Sequence, residues 1–194
     1  MVRASTKVIC LLLLLLNPSL AKATDFGFTP SHVYGIWLNI NQSFLELLHY
    51  STLNNEQKRH IASLKAQSFS DKQPKDVYQQ VETVKQHLEQ FFQLTTISYR
   101  PAWVDHYHTL QYEQADDTIH PSSVFILSSQ LLNALVQQYI FSTQAEQSIS
   151  HFYTDRVVEN KTPSDVFSQV DLFKRRLLQY QQLSPARVHK TLGE

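Results

Sequence analysis

Residues 72–90 read KQPKDVYQQVETVKQHLEQ, and residues 161–179 read KTPSDVFSQVDLFKRRLLQ. The second stretch restates the first, 89 positions further on (72 against 161). Each contains a proline, two residues, a valine and an aromatic ring. The same spacing occurs four times in the chain, at Pro30–Tyr34, Pro74–Tyr78, Pro121–Phe125 and Pro163–Phe167. Proline suits the first position of a helix, where its missing N–H has no intrahelical partner and its φ is already helical. Thr29 and Thr162 precede two of these prolines as N-cap residues. Asp76 and Asp165 fall at the third helical position, where a carboxylate meets free backbone N–H groups and the positive end of the helix dipole. Each motif is a helix-start signal.

The residues that follow have helical period. Apolar positions recur at Val33, Trp37, Ile40, Phe44 and Leu47, and at Val77, Val81, Val84, Leu88 and Phe91. They recur again at Val124, Leu131, Leu135 and Tyr139, with Ser128 in the skipped place, and at Val166, Val170, Phe173, Leu177 and Tyr180. Steps of three and four keep one face apolar. The spacing predicts an all-α fold of four amphipathic helices in two repeats, about 30–94 and 121–182. A helical hairpin cannot cover its own apolar face, whereas two copies packed together can. The expectation is a duplicated helical hairpin forming a four-helix bundle with pseudo-twofold symmetry.

The connections inside the repeats, about 52–73 and 142–162, are too long for simple bundle turns. They have room for short extra helices at Asn54–Leu64 and Thr143–Tyr153. Segment 95–120 is the least regular and joins the repeats, while the tail from Ser184 has no partner in the pattern.

The chain opens MVRASTKVICLLLLLLNPSLAKA. A short basic stretch, an apolar run from Val8 to Leu16 and small residues at Ala21 and Ala23 have the layout of a secretory signal peptide over 1–23. That run is too short to span a bilayer core, which needs about 20 residues. The expected mature chain, 24–194, is one domain in the periplasm or outside the cell, with no stable membrane anchor. The one cysteine, Cys10, lies in the apolar run, so the mature chain holds no disulfide and no thiol nucleophile. Of 17 basic residues the signal segment takes Arg3, Lys7 and Lys22, leaving 14 against 17 acidic, or −3. Such a balance argues against a nucleic-acid partner.

Three glycines leave no phosphate loop, no dinucleotide-binding turn and no nucleophile elbow, and there is no H-E-x-x-H. The aromatics Tyr34, Trp37, Tyr78, Phe125 and Phe167 are the candidate binding residues for a pocket between the copies, although packing also accounts for them. His32 is expected to face solvent at a helix start. In the central segment Asp105, His106, His108, Asp116, Asp117 and His120 are the candidates for a zinc or copper shell, with His106 and His108 foremost. Their spacing matches no ligand set, and a solvated linker is the favoured reading, with no metal or other cofactor. Asn41-Gln42-Ser43 and Asn160-Lys161-Thr162 match the N-glycosylation sequon.

No catalytic constellation is left over once packing is accounted for. The expected function is therefore a non-catalytic binding or protein-interaction module for a protein partner or small ligand, with homo-oligomerisation open. The alternative is a metal-handling protein or enzyme using the central His/Asp segment.

Overall fold

The computed structural model describes residues 27–92, 119–143, 149–156 and 158–184. These are mostly helical, and no strand occurs among them. Four long helices, α1 (Pro30–His49), α3 (Pro74–Phe92), α4 (Pro121–Thr143) and α5 (Pro163–Leu183), start at the four prolines. A shorter helix, α2 (Asn55–Ser63), and a 3₁₀ turn at Ser150–Tyr153 lie in the connections. The segment expected to be a signal peptide, the tail from residue 185 and the central residues 93–118, with His106 and His108, lie outside the described residues.

The starts are built as their residues dictate. Thr162 and Asp165 form a reciprocal cap, in which Asp165 Oδ2 accepts from Thr162 N at 2.9 Å and Thr162 Oγ1 accepts from Asp165 N at 3.3 Å. Asp76 Oδ2 accepts from Gln73 N at 2.8 Å. At α1 the reaching side chain is a histidine, and His32 Nδ1 accepts from Thr29 N at 3.1 Å. Helix α2 begins with Asn54 as cap, its Oδ1 accepting from Gln57 N at 2.9 Å.

Every apolar position of the four stripes is buried except the half-buried Phe91, and all join one core. Trp37 is fully enclosed at its centre and donates from Nε1 to Ser128 Oγ at 2.9 Å. Phe173 meets both Trp37 and Phe44 edge-on, with ring centroids 5.8 and 5.3 Å apart. Helix α4 alone among the described helices is long and apolar enough to cross a membrane, and most of its apolar stretch is buried in this core.

The helices within 30–94, expected as a hairpin, are not one, and neither are those within 121–182. Helix α1 packs on α4 and α5, and α3 packs on the same two, so α1 and α3 stand across the core from each other. Pro30, Pro74, Pro121 and Pro163, each with its valine three residues on, line a single apolar gap of about 10 Å³. All four helices therefore start at the same end and run parallel. The opposite ends agree, since Phe91 and Tyr180, equally far along α3 and α5, meet with ring centroids 5.1 Å apart. An antiparallel hairpin would have put Pro30 and Pro74 about 30 Å apart, the length of a 20-residue helix.

Parallel helices need returns, and this is the physical reason for the long connections. About nine extended residues cover that distance. Residues 64–73 descend along α5: Leu64 O accepts from Arg176 at 3.3 Å, Phe69 packs on Phe167, and Lys72 N donates to Ser164 Oγ at 3.1 Å. Residues 151–156 and 158–161 descend along α1 in the same way. His151 meets Glu46, Thr154 O meets Asn39, and Lys161 N donates to Ser31 Oγ at 3.2 Å.

The two returns end alike in detail. Asp71 and Asn160 are the non-glycine residues at positive φ among the described residues, at 59° and 57°. Asp and Asn tolerate that region because their short side chains bond locally. One residue later Lys72 Nζ stands 4.7 Å over the Phe167 ring, and Lys161 Nζ stands 4.7 Å over the Tyr34 ring.

Candidate functional site

Between α1 and α4, under the second return, lies a cleft of about 530 Å³. Helix α1 contributes His32, Ile36 and Asn39, spaced by four and three so that they form one stripe. Helix α4 contributes Phe125, Ser129, Leu132 and Asn133, and the roof is Tyr153–Arg156. At the end near the helix starts, Phe28 stacks on Phe125 with centroids 4.0 Å apart, and His32 meets Phe28 edge-on.

The roof is fixed to α1 at successive turns. Asn39 Nδ2 donates to Thr154 O at 2.7 Å. The carbonyl of Arg156 lies directly against Gly35, in the space a side chain there would need. The Arg156 guanidinium donates to Gln42 Oε1, one turn beyond Asn39. On the other wall Tyr153 donates its hydroxyl to Asn133 Oδ1 at 3.0 Å. Burial raises the Tyr153 pKa, which keeps that hydroxyl a donor well above neutral pH.

Three residues that line the cleft carry a polar group with no partner among the described residues, the Asn39 oxygen being buried beneath the wall. Asn39 is 5% exposed, and its Oδ1 has no donor among the described residues. A buried acceptor without a partner forfeits about 1–3 kcal/mol, so native proteins keep few of them. Asp155, exposed in the roof, is in no hydrogen bond or ion pair among the described residues. His32 Nδ1 is taken by Thr29, so the neutral ring carries its proton on Nε2.

The sequence candidates fall in different places. Phe125 is in the cleft. Trp37 belongs to the core, and Tyr78 is buried. Tyr34 and Phe167 are half-buried beneath Lys161 and Lys72, and Tyr34 OH accepts from Gln169 Nε2 at 3.3 Å. His32, expected in solvent, is instead half-buried and lines the cleft. Asn39, Asp155 and Gly35 were not legible as site residues. A glycine in mid-helix, in a chain with three, was the signal that a backbone passes there. His120 is exposed just before α4, and no group of three metal-ligating side chains occurs among the described residues.

A second polar centre is structural. Arg176 is buried on α5 and donates to Asn41 Oδ1 at 2.9 Å and to Ala62 O and Leu64 O at 3.3 Å. The last two are free carbonyls at the C-terminal, negative end of α2, which stands in for a counter-ion. Burial, then the neighbouring Arg175, lowers the Arg176 pKa from the usual arginine value. The Asn41 sequon is closed by the same contacts, since Asn41 Nδ2 donates to Trp37 O and Gln169 O at 3.0 and 3.1 Å.

No protein-family model matches the chain, and neither a curated protein nor a solved structure matches it.

Proposed function

We propose that this is an exported, non-catalytic binding protein, and that the cleft beneath the second return holds a small ligand. The duplicated sequence would build the scaffold, a four-helix bundle assembled from two helix–return–helix units. Tyr34 and Phe167, with Lys161 and Lys72 over them, would be the paired contacts of that duplication. The cleft's size falls in the range of small-molecule sites, about 300–1,000 Å³. Its walls also mix apolar and aromatic groups with a few polar ones, as such sites do.

The observation that carries the reading is Asn39. Asn39 lines the cleft and its amide nitrogen holds the roof, while its oxygen is buried beneath that wall with no donor among the described residues. Packing explains Trp37, Phe173 and Arg176, but it does not explain that oxygen.

Native mass spectrometry of the protein purified after export from its own host tests the proposal. A retained small molecule, lost in Ser129→Trp where an indole fills the cleft, is the expected result. Wild type and variant each at the mass of its own sequence, neither with an adduct, would refute it. N-terminal sequencing of the same material should start near Thr24.

A further inference from the structure

We infer that the cleft takes a free α-amino acid with an apolar or aromatic side chain, a ligand that carries one charge of each sign. This rests on the cleft being the binding site. The roof lines it with two consecutive residues of opposite charge, Asp155 and Arg156. The two are not paired with each other. Asp155 is in no hydrogen bond or ion pair among the described residues, and the Arg156 guanidinium donates to the neutral amide of Gln42. A ligand seated beneath the roof takes water from both charges, and a charge that loses water needs a partner. A cation partners Asp155 and meets Arg156 as a like charge, an anion does the reverse, and a neutral molecule serves neither. An amino acid serves both, with an ammonium group for the carboxylate and a carboxylate for the guanidinium, whose forked N–H groups match it. Ile36 and Leu132, both buried, and the half-buried rings of Phe28 and Phe125 give the side chain apolar and aromatic surface in the same cleft.

Phenylalanine, phenethylamine and 3-phenylpropionate separate these contributions, since the second lacks only the carboxylate of the first and the third lacks only its ammonium group. Their binding is followed in nitrogen-15 spectra by the side-chain amide of Asn133 and the backbone amides of Tyr153–Arg156. Phenylalanine is expected to bind at least about tenfold tighter than either analogue, a difference of about 1.4 kcal/mol. Asp155→Asn, an exposed change that breaks no bond of the fold, should weaken phenylalanine and phenethylamine and spare phenylpropionate. Either analogue binding as tightly as phenylalanine would overturn the ligand class while leaving the cleft as the site. An unchanged phenylalanine affinity in Asp155→Asn would overturn it too. Cleft amides that respond to none of the three would also overturn the ligand class, and the retained adduct and its loss in Ser129→Trp would then decide the cleft separately.

Discussion

The backbone carbonyl of Arg156 and the α-carbon of Gly35 are in direct contact, with no room between them for a methyl group. The roof of the cleft can cross α1 there because the helix has no side chain at that point. Glycine inside a helix costs about 1 kcal/mol against alanine, so propensity alone favours replacing it. Gly35→Ala should nevertheless destabilise, by about 1–3 kcal/mol, because overpacking against a backbone outweighs propensity. Chemical denaturation measures this. A stabilised Gly35→Ala would mean that the return does not lie on α1.

Ser128→Ala leaves Trp37 Nε1 buried without its acceptor. The expected cost is about 1–3 kcal/mol, with altered near-ultraviolet circular dichroism from the tryptophan. The methyl fits where the hydroxyl was, so loss of the hydrogen bond is the dominant effect.

Val77 and Val166 each stand three residues after the proline that starts their helix, and each is 2% exposed. Truncation of either to alanine should cost about 1–3 kcal/mol, since lost burial and the cavity left behind add. The two values should be alike. A change near zero at both would contradict the shared core.

Asp165 has its pKa lowered, first by the backbone N–H of Thr162, then by the Thr162 hydroxyl. A carboxylate with a depressed folded pKa stabilises above its unfolded value, near 3.9, and that stability is lost as pH falls through the folded pKa. Asp165→Asn should therefore cost about 0.3–1 kcal/mol at neutral pH and flatten the decline of stability as pH falls below about 4. Melting temperatures of both proteins across that range show whether it does.

The apolar stripes and the helix starts were legible in the sequence because each depends on neighbours within a few residues. Helix direction was not. Period tells which face is buried, and it is the same for a parallel as for an antiparallel partner. The length of residues 50–73 carried the missing information, since a chain that must travel back along a helix cannot do so in a short turn. The cleft was less legible still. It joins residues 32–39, 125–133 and 153–156, and no short window of sequence contains an Asn39 whose oxygen lacks a donor. His32 looked solvent-facing because its place beside Phe28 depends on α4.

Spin labels at Thr52, just beyond the end of α1, and at Lys75, in the first turn of α3, test the parallel arrangement directly. Both positions are exposed, and neither side chain has a role in packing. A parallel bundle places them at opposite ends, more than about 30 Å apart, the length of a helix plus the width of the core. A distance below about 20 Å, as a hairpin of α1 and α3 would give, would contradict the fold, its returns and the cleft together.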